Sequence, residues 1–307
     1  MTIGSTTAKE LEAGGLDPAG VERLVRTALT EDLADGVDVT SVATIPGEAT
    51  GAGDVVARAD GVVAGLPVAA AVFEIAGAEP ATTAAATTAA TRTVAEGSRV
   101  RRGDVLLAVQ GPASALLTAE RTALNFLCHL SGVATQVRCW ADALEGSGAV
   151  VLDTRKTTPG LRALEKYAVR QGGGANKRMG LYDVAMIKDN HVLAAGGIAE
   201  AFDAVRRNFP GVEIQVECDT IGQAREAVLA GATFLLCDNM DPEALREVVT
   251  EVRRASSAVQ IEATGGLTLD RAGEYALTGV DFLSVGAITH SAPILDIAFD
   301  LRPGKST

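Results

Sequence analysis

The second half of the chain alternates short apolar runs with helical stretches, and no other feature restricts the fold as strongly. Six runs recur about 20–30 residues apart: AVVLDT, DVAMIKDN, EIQVECDT, ATFLLCDN, AVQIEATGG and VDFLSVGA. Continuous apolar runs are strands buried on both faces, and helices between such strands build parallel βα units. Asp241-Pro242-Glu243 supplies the start signal for one of those helices. Six strands predict a short or open α/β barrel rather than eight closed strands.

Each apolar run ends on chemistry-bearing residues: Asp153-Thr154-Arg155-Lys156, Lys188-Asp189-Asn190, Glu217-Cys218-Asp219, Asp238-Asn239, Glu262-Ala263-Thr264 and Ser284. In a barrel of βα units the carboxyl ends share one face, and ligands bind there. Between Arg155 and Lys188 lie eight Lys/Arg against two acids, Glu165 and Asp183, within a chain whose formal net charge is −12. Arg162, Lys166 and Arg170, at i, i+4 and i+8, fit a solvated helix face. Arg155, Lys156 and Lys188 directly follow buried runs, so a surface reading fits them poorly. Like charges gathered at one rim repel by several kcal/mol at ~4 Å separation and call for a multiply charged anion.

Two glycine features strengthen the anion reading. Gly172-Gly173-Gly174 precedes Asn176-Lys177-Arg178, where backbone can approach a ligand and two cations suit a carboxylate or phosphate. Thr264-Gly265-Gly266 and Ser284-Val285-Gly286 follow the last two strands, where barrels bind phosphate through backbone N–H groups. Glu217 and Asp238 end adjacent strands and offer hard oxygen ligands for Mg²⁺, directly or through water, or contacts for sugar hydroxyls; pairing to the basic rim is the alternative.

Residues 1–110 read as a mixed α/β module. A helix is expected over DPAGVERLVRTALTEDL, strands in GDVVARADGVVAG and RTVAEGSRVRRGDVLLAVQG, and sheet for the Ala/Thr tract at 81–91. A long helix follows Gly111-Pro112, with Leu116, Leu117, Ala123, Leu124, Leu127, Cys128 and Leu130 on one arc, Glu120 inside it and Arg121 at its edge.

Composition bounds the rest. A chain 47% hydrophobic, with 33 Gly and 10 Pro, is neither disordered nor collagen-like, and its acidity excludes general attraction to nucleic acid or anionic membrane. Cys128, Cys139, Cys218 and Cys237 lie far apart without a CxxC pair, as reduced core thiols of a cytoplasmic protein do. The opening MTIGSTTAKELEAGG lacks the features of a secretory signal, and no run approaches a membrane span. No His/Asp or Cys/His pair suggests general-base or nucleophilic catalysis.

Taken in order, DTRKTTPGLRALEKYAVRQGGG, GLYDVAMIKDNH, QVECDT, LLCDNM, EATGGL and SVGAITHS, with ERTALN and EGSRVRRGD upstream, resemble the quinolinate phosphoribosyltransferases of NAD synthesis over nearly the whole chain. The resemblance implies an N-terminal α/β sandwich over 1–123, completed by the tail 292–307, and an open TIM-like α/β barrel over 124–291. It implies quinolinate and phosphoribosyl pyrophosphate as substrates, Mg²⁺, and a homodimer in which Arg121 reaches the partner's site. Arg155, Arg178 and Lys188 would meet the quinolinate carboxylates, Lys156 the pyrophosphate, and Glu217 and Asp238 the ribose and metal. Thr154, Lys177, Thr264, Gly265, Gly266, Ser284 and Gly286 complete the expected binding set, with Lys156, Lys188, Glu217 and Asp238 as the catalytic groups. Two departures stand out: Lys177 where the family usually has His, and Thr264 where it has Ser. A related enzyme acting on another heterocyclic acid, with Lys177 as selector, is the alternative, and an inert ligand-binding relative is a third reading.

Overall fold

The computed structural model describes residues 3–78 and 88–302. Contacts divide them into two units: one comprises the described residues up to Gln136, Ala163–Gly172 and those from Ala292 onward, the other Val137–Arg162 and Gly173–Ser291.

The first unit is built on an antiparallel sheet of β1 (Thr50–Ala57), β3 (Ala89–Arg92), β5 (Val105–Pro112) and β12 (Ile297–Arg302), in the order β12-β1-β5-β3. A two-stranded ribbon joins β2 (Gly61–Val62) to β4 (Arg99–Val100). The helix Leu66–Gly77 is almost wholly buried, as its apolar sequence requires, and packs against β3, β5 and the helices Ser5–Ala13 and Pro18–Leu33. Its first N–H groups lack a side-chain cap from Gly65; the Glu96 carboxylate accepts from Gly65 N and, at 3.1 Å, from Leu66 N. Burial pushes the Glu96 carboxyl above its usual range, against those donors and the Tyr167 hydroxyl.

The tail strand β12 pairs along β1, setting Val55 opposite Phe299. The Phe299 ring lies over Gly53 and 5.8 Å from that of Phe73. Of the Ala/Thr tract at 81–91, Ala89–Thr91 fall in β3, and 81–87 lie outside the described residues.

The second unit holds β6 (Val150–Leu152), β7 (Val184–Ile187), β8 (Glu213–Cys218), β9 (Phe234–Asp238), β10 (Gln260–Thr264) and β11 (Phe282–Ser284). They form one parallel sheet ordered β6-β11-β10-β9-β8-β7, with β6 and β7 left as its two ends. This is the open barrel that six runs predict. Inside it Leu152, Phe234 and Leu236 pack with Ala175, Met186 and Phe282, the two phenyl rings stacked at 5.7 Å. Asp241 caps the helix Pro242–Ala255, accepting from Glu243 N and Ala244 N at 2.9 Å.

Three expectations need correction. The chain leaves the first unit after Gln136 rather than at 123, within the helix Ala113–Ala143. The helix Arg162–Gln171 belongs to the first unit, where Glu165 meets His129 at 2.8 Å. Lys166 is therefore buried rather than solvated, with Arg162 half-buried and only Arg170 of its trio exposed. Cys128, Cys218 and Cys237 are buried thiols, whereas Cys139 is exposed; burial pushes the Cys237 thiol up to about 12.

A Cβ at Gly53 would fall 2.2 Å from the Phe299 ring. Gly53→Ala must displace the ring or the tail strand, and a loss of about 1–3 kcal/mol is expected from such overpacking. An unchanged thermal midpoint would show that Phe299 is not seated there.

Candidate active site

Parallel pairing brings the carboxyl ends of β6 to β11 to one rim. The buried Asp153 carboxylate, just past β6, accepts from Asn176 Nδ2 at 2.6 Å and Lys177 N at 2.8 Å. With Ala175 bridged to Leu152, these bonds stitch the segment after the glycine run alongside β6 and fix where Lys177 and Arg178 emerge. Arg155 follows Asp153 by two residues, and its Nε is buried without a hydrogen-bond partner. Arg178 Nη1 donates to Val184 O at 3.1 Å. Desolvation, then the charge of Arg155, pushes the Arg178 guanidinium below its ordinary value, as expected of two like charges held near each other.

Lys156 is exposed; its carbonyl accepts from Thr289 Oγ1 at 2.8 Å, and its side chain runs past Gly286, where a Cβ would come within 3.0 Å of it. Lys188 Nζ bonds Glu217 Oε2 at 2.5 Å, while its backbone N–H donates to His191 Nδ1 at 3.0 Å, so the ring of the IKDNH motif fixes the loop. Asp238 ends β9 and accepts from Asn239 Nδ2 at 2.8 Å. Gly265 has φ of 90°, and a Cβ there would sit 2.4 Å from Asn239 Oδ1. Only glycine lets the Thr264-Gly265-Gly266 turn close against Asn239.

Lys177 has a partner that the sequence left unassigned. Its side chain is 6% exposed, and its ammonium bonds both carboxylate oxygens of Glu262, at 2.5 Å each; Glu262 itself is fully buried on β10. Burial pushes the Lys177 ammonium below its usual value, with Glu262 opposing that shift.

These groups line a cavity of about 290 Å³. The structure brings Thr154, Arg155, Lys156, Lys177, Arg178 and Lys188 to it, facing Glu217, Asp238, Thr264, Gly265 and Ser284. Sequence reasoning missed Glu262, Met186 and Leu236, which line it too, and Asp153, which positions it. Glu262 had the signal of a strand-end acid but no visible partner. Gly266 and Gly286 flank the cavity without lining it, and Arg121 is exposed on the helix Ala113–Ala143, outside the lining. Ser284 Oγ, like Arg155 Nε, is buried without a hydrogen bond. Buried polar atoms left open in this way are what a polar ligand satisfies.

A larger cavity, about 540 Å³, lies in the first unit, lined mostly by apolar and small residues. Its two charged groups are engaged, Arg26 with Glu22 and Asp38 with the backbone at Thr40 and Ser41. It offers no charged constellation, and the smaller cavity is the better candidate. Among the described residues no three His, Cys, Asp or Glu converge as a metal cage. Glu217 and Asp238 on the cavity wall are hard oxygen donors of the kind that Mg²⁺ takes, and Glu217 is paired to Lys188. Among the described residues no helix is long and apolar enough to cross a membrane.

The chain matches the family models for the C-terminal domain of quinolinate phosphoribosyl transferase over residues 133–300 and for its N-terminal domain over 38–131. It is 45% identical to the nicotinate-nucleotide pyrophosphorylase (carboxylating) of Mycobacterium leprae, over 90% of this chain and 95% of that protein. It is 37% identical to quinolinate phosphoribosyltransferase (decarboxylating) 1 of Nicotiana glauca, over 91% and 81%. The crystal structure of NadC from Streptococcus pyogenes superimposes with a TM-score of 0.86 at 34% identity, covering 94% of this chain and 98% of that one. With both domain models matched in order along a chain whose barrel rim carries the cationic cavity, this protein belongs to the quinolinate phosphoribosyltransferase family.

Proposed function

We propose that this chain transfers the phosphoribosyl group of phosphoribosyl pyrophosphate to quinolinate with loss of CO₂, giving nicotinate mononucleotide and pyrophosphate. The observation that carries this reading is the pair of arginines, Arg155 and Arg178, which line one cavity without a close ion pair among the described residues, Asp183 acting on Arg178 only through its field and Arg155 having its Nε without a hydrogen bond. Quinolinate is a rigid vicinal diacid, and two guanidiniums match two carboxylates. Support for this substrate over another heterocyclic acid comes from Lys177. Its charge is spent on Glu262, so the departure from His adds no net charge to the site.

In this mechanism Arg155 and Arg178 anchor the acceptor and aim its ring nitrogen at C1 of the ribose. Lys156 and the glycine turns at Gly265 and Gly286 take the phosphates, and Glu217 and Asp238 face the ribose. Glu217 and Asp238 would hold Mg²⁺, which would supply neutralisation of pyrophosphate charge. The N–C1 bond forms as the C1–O bond to pyrophosphate breaks. Loss of CO₂ leaves the electron pair of the broken C–CO₂⁻ bond on the ring carbon, where the adjacent quaternary nitrogen stabilises it as an ylide until a proton from solvent completes nicotinate mononucleotide. The one proton required is delivered to carbon rather than removed from the acceptor, so the site needs positioning and electrostatic stabilisation rather than a general base.

The further parts of the proposal are a homodimer and a cytoplasmic location. Arg121 is exposed on its own unit and absent from its own chain's cavity, which supports donation to a partner's site. The four free thiols support a reducing compartment.

Arg155→Ala removes charge-assisted hydrogen bonds, each worth roughly 1.5–3 kcal/mol, so kcat/KM for quinolinate is expected to fall about a hundredfold or more. Release of CO₂ at limiting quinolinate measures it, and near wild-type turnover would refute the role. Mixing Arg121→Ala with Arg155→Ala protein tests the dimer: random pairing leaves one intact site in each hybrid and should recover roughly a quarter of wild-type activity. Recovery no greater than the sum of the two variants would place Arg121 outside the partner's site. Asp238→Asn should raise the Mg²⁺ concentration needed for half-maximal rate, and an unchanged requirement would remove Asp238 from the metal region.

A further inference from the structure

The cavity wall holds five cations, Arg155, Lys156, Lys177, Arg178 and Lys188, against three carboxylates, Glu217, Asp238 and Glu262, a surplus of two positive charges. Two of the carboxylates are already paired, Glu217 to Lys188 and Glu262 to Lys177. The second pair is the buried one, and a buried ion pair is no better for stability than apolar residues of the same volume. Its neighbours make the apolar alternative available: Glu262 stands in register with Leu236 on one side and Phe282 on the other, and the Lys177 ammonium lies 5.7 Å from the centre of the Phe234 ring. Packing therefore does not explain why two charges occupy this wall. Lys177 also lies within the field of Arg178 and Lys188, beside the groups assigned to the acceptor.

We propose that Glu262 is a specificity-determining positioning residue, which by neutralising Lys177 sets the acceptor subsite to two uncompensated positive charges and so matches it to a dianionic acid. Without Glu262, the Lys177 ammonium loses the carboxylate that neutralises it beside Arg178, and the subsite accommodates a trianion. With Glu262 in place, a third carboxylate on the acceptor gains no charge contact from Lys177 and must be desolvated without that compensation. Glu262 does this without touching the acceptor's carboxylates: it fixes the charge and direction of Lys177, whose backbone is already pinned by Asp153. This inference rests on the acceptor reading above.

The test is binding of benzoate, benzene-1,2-dicarboxylate and benzene-1,2,3-tricarboxylate to the full chain, by calorimetric titration at fixed ionic strength. These acids lack a ring nitrogen and cannot react. Wild-type protein should bind the diacid more tightly than benzoate and gain nothing from the third carboxylate. Glu262→Gln should shift the triacid-to-diacid affinity ratio about tenfold toward the triacid, the scale of one added charge contact in a partly solvated site. Glu262→Asp and the doubly neutral Lys177→Met/Glu262→Gln should keep the wild-type ratio. A simple loss of structure weakens all three acids together and leaves the ratio alone. An unchanged ratio in Glu262→Gln, or an equal shift in the double variant, overturns the proposal. If Glu262→Gln does not fold, a wild-type protein that binds the triacid tenfold more tightly than the diacid overturns it equally. Turnover of quinolinate by the wild type is scored separately, so failure of the enzymatic reading is distinguishable from failure of this one.

Discussion

Parallel pairing of six strands is the constraint on which the site depends. Because β6 to β11 run in one direction, every strand leaves its last side chains at the same rim, and residues far apart in sequence become neighbours without long loops. The register also sets the layers. Glu217 on β8 lies opposite Leu236 on β9, which lies opposite Glu262 on β10. Two acids thus share a layer but are separated by an apolar strand, and each takes its own lysine from outside the sheet: Lys188 from just beyond β7 and Lys177 from the segment stitched beside β6.

That separation governs the charge economy of the cavity. An ion pair at the solvated rim is weakly held, and Lys188, nearly half exposed, can leave Glu217 when a more highly charged partner arrives. The Lys177–Glu262 pair is enclosed, so breaking it would strand a buried carboxylate. One pair is therefore exchangeable and the other fixed. The charge presented to a ligand comes chiefly from the residues left over, Arg155 and Arg178 above all.

The strand ends were legible in the sequence because strands covered on both faces read as unbroken apolar runs, and the first polar residue after each run marks the rim. Arg155, Lys188, Glu217 and Asp238 were found that way, and the structure brings all four to one cavity. Glu262 was seen as a strand-end acid, but its partner lies 85 residues away in sequence, and local pattern carries no information about such a pairing. Lys177 was read as facing the ligand for the same reason: its neighbours supply the glycine-and-cation signal, while Glu262 decides its charge. Lys166 shows the complementary limit. Helical periodicity puts it on one stripe with Arg162 and Arg170, but which stripe faces the interior depends on what the helix packs against, and here Glu165, Lys166 and Tyr167 are all buried. Arg121 is legible only as a charge at the edge of an apolar arc, and the structure leaves it exposed and outside the cavity lining.

Electrostatic catalysis demands that charges be held before the substrate arrives, since groups that swing into place lose much of the stabilisation they supply. Arg155 and Arg178 repel each other in the empty cavity, and side chains on loose loops would relax apart. Asp153 prevents this. Its buried carboxylate, one residue beyond β6 and two before Arg155, clamps Asn176 and Lys177, so both arginines issue from backbone tied to the same strand end. The Nε of Arg155, buried without a hydrogen bond, is the cost of that arrangement. A site organised in this way needs no general base, because two carboxylates and a sugar phosphate held in fixed register against fixed charge leave only one proton to be taken up, at the carbon that loses CO₂.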